Sequence, residues 1–290
     1  MRVLVTGGGG FLGAHFAARA RSAGHAVVTL DRAGADLACD VSDAQALARL
    51  MQADRPEAVV HLAALLTDAS AADPIGATRV NALGTAAVFS AARAAGAGKV
   101  VYASSIAAVG QCAEDSGDDV ALSPRTVYGA TKAFGEHLAR AMSETPDGPD
   151  FVVLRFGWVY GAGRERGWRS AQELIERFAA GERWVEFPDY PERMDWTYVD
   201  DATEVLLRAT ERPLGGFRAF NVVGDRRTIR DAVAYLRQRF PGVKTEGRPA
   251  QAPASGWGVR NDGLERALGF APRISLEQGI DAILAREARS

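Results

Sequence analysis

The sequence predicts an α/β protein, a doubly wound parallel sheet carrying a smaller, mainly C-terminal lobe. Three observations predict it. Over the first half of the 290 residues, short apolar runs alternate with helical patterns, as βαβ units require. The apolar runs are continuous Val/Leu/Ala stretches, which fits strands covered on both faces by helices. A glycine cluster stands between the first such run and the first helical pattern.

The elements follow in order. RVLVT (2–6) reads as a strand, FLGAHFAARARSAG (11–24) as a helix ended by glycine, and AVVTLD (26–31) as the next strand. A helix at 44–54, a strand at 58–64, a helix at 82–96, a strand at 99–105, a helix at 128–144 and a strand at 151–157 continue the alternation. After Gly157, arginine, tryptophan and proline become frequent and the elements shorten. Helices are expected at 171–181, in the latter part of 195–210, at 229–242, within 263–273 and at 276–288, a further sheet strand at 217–224, and a Pro/Gly/Ala-rich connector at 247–258. The expected division is 1–156 plus about 195–224 in the sheet domain, and about 157–194 plus 225–290 in the smaller lobe.

Composition narrows the function classes. Hydrophobic residues at 47% and charged residues at 24% are ordinary for a globular protein with a sizeable core. A net charge of -2 gives no basic face for nucleic acid. No stretch approaches the length of a membrane span, and the apolar run at the N-terminus is too short and too soon followed by glycine to read as a signal peptide. Cys39 and Cys112 form no metal-type pair, and His15, His25, His61 and His137 form no metal constellation. The expectation is a cytoplasmic protein with no metal, no nucleic-acid partner and no membrane partner.

The glycines point to a dinucleotide. Gly7 permits a tight turn, Gly10 lets the backbone approach a pyrophosphate, and Gly13 lets the helix pack against the strand. The helix N-terminus then offers free N–H groups and partial positive charge to the phosphates. Asp31 closes the second strand at the distance expected of the acid that grips ribose hydroxyls. Its carboxylate repels a 2′-phosphate and favours NAD over NADP, while Arg32 softens that preference. No Lys-Ser or Lys-Thr follows the glycines, which excludes a triphosphatase phosphate loop.

The segment TVYGATK (126–132) holds one of only three lysines in an arginine-rich chain. Tyr128 and Lys132, four residues apart, share a helix face. A nearby cation favours the phenolate, so a lysine there lowers the tyrosine pKa and prepares it to take a hydroxyl proton while hydride leaves the adjacent carbon. Ser104 and Ser105 end the strand before, at the sheet edge where open α/β folds carry their ligand crevice. A hydroxyl there orients a substrate oxygen toward the tyrosine.

Together, TGGGGFLG, YASS and YGATK resemble the extended short-chain dehydrogenase/reductase superfamily, in its NAD-dependent epimerase/dehydratase branch, and HLAA (61–64), NALGT (81–85), DWTYVDDA (195–202) and LGFAPR (268–273) extend the resemblance over nearly the whole chain. The resemblance implies a Rossmann domain and a substrate-binding lobe. It implies a catalytic set of Ser105, Tyr128 and Lys132, with Tyr128 as acid/base and Lys132 also holding the nicotinamide ribose. It places Phe11, Leu12, Leu62, Ala63, Ala64 and Asn81 beside the cofactor, with Asp40 and Val41 at the adenine. It implies a homodimer pairing the helices that hold 84–96 and 128–144.

The chain also departs from that family. The Asp-Glu pair of its sugar-nucleotide dehydratases is replaced by Ile106-Ala107-Ala108, which argues against water elimination. The Arg-Asp of its nucleotide-sugar epimerases is interrupted, since Met194 separates Arg193 from Asp195, and prolines break the turn before them. These departures resemble the family's dehydrogenases for small sugars, sugar acids or hydroxy acids. Arg164, Arg166, Arg169 and Arg193 are candidate clamps for a carboxylate or phosphate, Trp158 and Trp168 candidate pocket walls, and Thr67 and Ser105 candidate substrate contacts. The leading expectation is a dehydrogenase acting on such a small compound. The alternative is an NAD-dependent sugar or nucleotide-sugar epimerase, and the third a non-catalytic dinucleotide sensor.

Overall fold

A computed structural model describes residues 1–164, 169–250 and 258–287. Its strands are β1 (Arg2–Thr6), β2 (Ala26–Asp31), β3 (Leu37–Ala38), β4 (Ala58–His61), β5 (Lys99–Ser105), β6 (Asp150–Phe156), β7 (Trp158–Tyr160), β8 (Trp184–Asp189), β9 (Met194–Tyr198), β10 (Phe217–Val222), β11 (Asp225–Arg227) and β12 (Lys244–Pro249). Its helices are α1 (Phe11–Ser22), α2 (Ala44–Asp54), α3 (Thr67–Ala72), α4 (Pro74–Ala77), α5 (Gly84–Ala94), α6 (Ile106–Val109), α7 (Val127–Ser143), α8 (Ser170–Ala179), α9 (Val199–Glu211), α10 (Ile229–Arg239), α11 (Asp262–Leu268) and α12 (Leu276–Glu287), with a π-helical turn at Thr78–Leu83 between α4 and α5.

Seven strands form one sheet in the order β10-β6-β5-β4-β1-β2-β3, every pairing parallel. The alternation of side chains along each strand builds a core on each face. Val3, Val5, Val60, Val101, Val152 and Leu154 face α1 and α9, where Phe16, Ala20, Val205 and Leu206 cover them. Leu4, Val59, Val100, Tyr102, Phe151 and Val153 face the other way, toward Leu47 and Met51 of α2, Val88 and Phe89 of α5 and Ala139 of α7. This is the doubly wound sheet the sequence predicts, and it explains why its strands show no polar alternation. Because all seven strands are parallel, Gly7, Asp31, Leu62, Ser105 and Gly157 follow their strands at one common edge.

The remaining strands build smaller sheets. β7 runs parallel to β9, and β9 antiparallel to β11, while β8 and β12 pair in parallel. The sequence reading anticipates none of these short strands, and 247–249 of the expected connector lie in β12. Their partners are remote in sequence, so no local pattern reports them. The expected strand at 58–64 ends at His61, where the chain leaves the sheet. The helix expected at 82–96 extends backward through the π turn and α4.

Candidate active site

The glycine loop is shaped by its own backbone. Gly7 has φ +75, and a Cβ there would stand 2.6 Å from the Ala63 nitrogen. A Cβ on Gly13 would lie 2.1 Å from the Gly7 carbonyl oxygen, so the first turn of α1 can close on the loop only with glycine at that place. Gly10 caps α1 with extended backbone and no side-chain hydrogen bond, leaving the helix start for an anionic ligand. Gly10 is exposed, and Phe11 and Leu12 are half-buried beside it.

At the end of β2, the Asp31 carboxylate accepts from the Gly9 N–H (3.2 Å) and from the Arg32 N–H (2.7 Å), with Arg32 itself exposed. Asp40 accepts from the Ser42 N–H and hydroxyl, both at 2.8 Å, and these bonds hold its carboxyl below the usual range. Val41 is buried against Gly84, the first residue of α5. Leu62, Ala63 and Ala64 are half-buried after β4. A cradle without side chains, an uncapped helix start and a carboxylate at the second strand end fit a dinucleotide carrying free ribose hydroxyls.

Asn81 lies in the π turn, buried. Its amide oxygen accepts from the Leu65 N–H (2.7 Å), and its amide nitrogen donates to the Leu65 carbonyl (2.9 Å) and the Thr131 hydroxyl (3.2 Å). It ties the segment after β4 to α7. Beneath it, His61 is bonded on both ring nitrogens, to Thr6 (2.6 Å) and Thr85 (2.9 Å). The Thr85 hydroxyl donates to the Asn81 carbonyl, so it accepts from His61 Nε2–H, and Nδ1 accepts from Thr6. Burial lowers the histidine pKa to about 3, leaving it a neutral core residue.

The catalytic candidates converge from β5 and α7. Thr126 caps α7 by accepting from the Gly129 N–H (2.9 Å), which fixes the helix start beside the β5 end. A Cβ on Gly129 would lie 2.2 Å from the Ala107 oxygen, so glycine permits that approach. Ser105 caps α6 by accepting from the Ala107 N–H (3.1 Å), and its hydroxyl acts on the Tyr128 phenol, favouring the phenolate. Lys132 Nζ donates to the Ala103 carbonyl at 2.7 Å and stands 5.6 Å from the Tyr128 ring centroid. Lys132 is almost fully buried, and burial lowers its pKa to about 7.

The electrostatics of the phenol differ from the sequence expectation. Burial raises the Tyr128 pKa to about 12, opposed first by the charge of Arg164 and then by the Ser105 hydrogen bond. Arg164 is thus a second cation beside the phenol, joining Lys132, whose Nζ lies 5.6 Å from the ring centroid while it donates to the Ala103 carbonyl. Arg164 donates to the Val159 carbonyl and lies 5.7 Å over the Phe11 ring, which places a guanidinium between the glycine-loop helix and the tyrosine. Its own pKa falls to about 10 through burial.

The other candidates scatter. Thr67 begins α3, half-buried. Trp158 is 5% exposed, stacked on Tyr160 at 5.2 Å and edge-on to Trp196 at 4.7 Å, within the hydrophobic core. Arg193 is exposed and on the side of Asp231 at the start of α10. Arg169 pairs with Glu176 at 2.7 Å. Arg166 and Trp168 lie outside the described residues. Sequence reasoning did not single out Glu136, buried one turn beyond Lys132. Its spacing from Lys132 was the available signal.

Comparison with known proteins gives a consistent result. The model of the NAD dependent epimerase/dehydratase family matches residues 3–223. A UDP-glucose 4-epimerase of Mycolicibacterium smegmatis is 30% identical, covering 97% of this chain and 96% of its own. A dTDP-4-dehydrorhamnose reductase of Streptomyces griseus is 34% identical, covering 99% and 96%. Among solved structures, MoeE5 in complex with UDP-glucose and NAD superposes with a TM-score of 0.88 at 27% identity over 100% of both chains. The Thermus thermophilus UDP-glucose 4-epimerase complex with NAD gives 0.85 at 28% identity over 99% of both.

Proposed function

This chain belongs to the NAD-dependent epimerase/dehydratase family and is an NAD-dependent enzyme, and from that premise we propose that it moves a hydride between NAD and a hydroxyl- or carbonyl-bearing carbon of a small sugar, sugar acid or hydroxy acid. The observation that carries this reading is the convergence of Ser105, Tyr128 and Lys132 at the sheet edge that also bears the glycine loop. In oxidation, Ser105 orients the substrate hydroxyl and the phenolate form of Tyr128 takes its proton; bound NAD would supply the hydride acceptor. In reduction the phenol returns the proton. Residues 1–156 with about 195–224 hold the cofactor, and 157–194 with 225–290 supply the substrate lobe.

The substrate size is argued from β9. Met194 precedes Asp195 and is fully buried, while Arg193 is exposed, so no arginine stands at the residue directly before that aspartate. That arrangement favours a compact substrate over a nucleotide diphosphate. Arg164, beside Tyr128 with a buried Nε that has no partner among the described residues, favours an acidic one. A second reading, an epimerase acting on a sugar or nucleotide sugar, is favoured by the 30%-identical UDP-glucose 4-epimerase relative. A homodimer would use the exposed Leu83 and Phe134, on the π turn and α7. Two free cysteines suit the cytoplasm.

The test incubates purified protein with NAD and a panel of sugars, aldonic and uronic acids and hydroxy acids, following reduced-nicotinamide absorbance. A rise with one compound, lost in Tyr128→Phe, is the expected result. A flat panel, with NAD retained through purification and UDP-glucose interconverted with its epimer, would replace this reading with the second.

A further inference from the structure

Beneath the catalytic residues lies a buried charge cluster that the reaction above does not use. Three consecutive residues at the end of β5 each contact a different group. Ala103 accepts from Lys132 (2.7 Å), Ser104 donates to Glu136 (2.5 Å), and Ser105 acts on the Tyr128 phenol. Glu136 is one helical turn after Lys132 on α7, and both are 3% exposed. Arg155 of β6 grips the carboxylate through Nη2 (2.8 Å) and Nε (3.0 and 3.1 Å). Arg155 also donates to the Asp118 carbonyl (2.8 Å) and faces Asn221 of β10.

A buried ammonium without a nearby anion sheds its proton, because the interior does not replace its hydration. The Lys132 ammonium donates to the neutral Ala103 carbonyl. The groups around it are few. On its own helix stand Tyr128 and Glu136; β5 contributes Tyr102, whose ring centroid is 5.0 Å from Nζ; β4 contributes the neutral His61. Arg164, after β7, faces Tyr128, and Arg155 faces Glu136 rather than the lysine. Both phenols are neutral at ordinary pH, since burial raises their pKa values. Glu136 is thus the one carboxylate acting on the ammonium among the described residues, and it opposes the fall in the lysine's pKa.

We propose that Glu136 is a positioning residue that favours the protonated form of Lys132, its carboxylate locked one turn away by Arg155 and Ser104. The arrangement divides the labour. Arg155 and Ser104 fix where the negative charge sits, and the charge biases the protonation state of the lysine that supports the tyrosine. A purely architectural ion pair between α7 and β6 would stabilise the fold without affecting the lysine's titration.

The small number of lysines makes the test direct. With the side chains of the three lysines isotope-labelled, NMR resolves Lys99, Lys132 and Lys244, and the Lys132 signal is identified by its loss in Lys132→Met. The expected result is a Lys132 midpoint lower by about one pH unit in Glu136→Gln than in the wild type, a tenfold loss of proton affinity. Glu136→Asp, which keeps the charge, is expected to recover part of the shift. Glu136→Gln leaves Arg155 buried without its anion; if that variant does not fold, Glu136→Gln with Arg155→Met removes both charges, and the midpoint is still expected to fall. An unchanged midpoint in a folded variant overturns the proposal. The kinetic arm rests on the proposed role of Lys132. The high-pH limit of turnover moves down with the NMR midpoint if the ammonium is needed. A lowered midpoint with an unmoved profile overturns that role and leaves the charge pairing standing.

Discussion

The cofactor side of the site and the phenol side solve the same problem by different means. Around the glycine loop, the ligand surface is made by removing side chains; Gly13 leaves no room for a Cβ against Gly7. Around Tyr128, the surface is made by burying charge: Lys132, Glu136 and Arg155 are each 5% exposed or less, and Arg164 stands over Phe11 at the junction. The first side is limited chiefly by added volume; the second depends on charge held in a closed space, so that both the charge and the shape of its groups count. Backbone N–H groups need only clearance, whereas a proton-transfer site needs its groups held at particular pKa values.

Four substitutions sharpen or break that contrast. The largest effect is expected from Lys132→Arg, which keeps the charge but replaces a compact donor by a planar fork in a closed space. Turnover should fall about a hundredfold while thermal stability changes less. Normal turnover would show that shape does not matter on the phenol side. Next is Gly13→Ala, a change of volume without charge. The Cβ forces the loop or α1 to shift, costing about 1–3 kcal/mol in denaturant unfolding and weakening NAD binding measured by calorimetry. Wild-type values for both would mean the loop has slack.

Arg164→Gln tests the charge side more gently. The arginine favours the phenolate, so its removal leaves Tyr128 holding its proton to higher pH. Oxidation requires the phenolate, so the rise of rate with pH should move upward by about one unit in the variant, read from a pH–rate profile. A downward or absent shift would remove Arg164 from the electrostatics of the site. The smallest effect is expected from Asp31→Asn, where one charged hydrogen-bond acceptor becomes neutral. NAD affinity should fall by about 1–2 kcal/mol and discrimination against NADP should relax, as fluorescence titration with each cofactor would show.

Much of this was legible beforehand, for identifiable reasons. Strand and helix alternation, the glycine spacing and the Tyr128–Lys132 interval are local patterns, and local patterns survive in a one-dimensional reading. β7, β8, β11 and β12 were not legible, since each is three to six residues with a partner far along the chain. Trp158, a candidate pocket wall, packs between Tyr160 and Trp196, because β7 pairs with β9 and aligns the aromatic rings of both strands on one face. Nor could the sequence say that a second cation faces the tyrosine. Helical spacing put Lys132 on the right face, but the Ala103 carbonyl claims its Nζ, and Arg164 arrives from an element outside the helix.

By itself, then, the sequence determined the doubly wound sheet and singled out the glycine loop and the serine, tyrosine and lysine as candidates, because each is a matter of periodicity or spacing within one or two elements. The tertiary structure decided the protonation of those groups. A pKa depends on burial and on charges brought from other strands, and Arg155 on β6 and Arg164 beyond β7 reach the α7 residues only when the sheet is assembled.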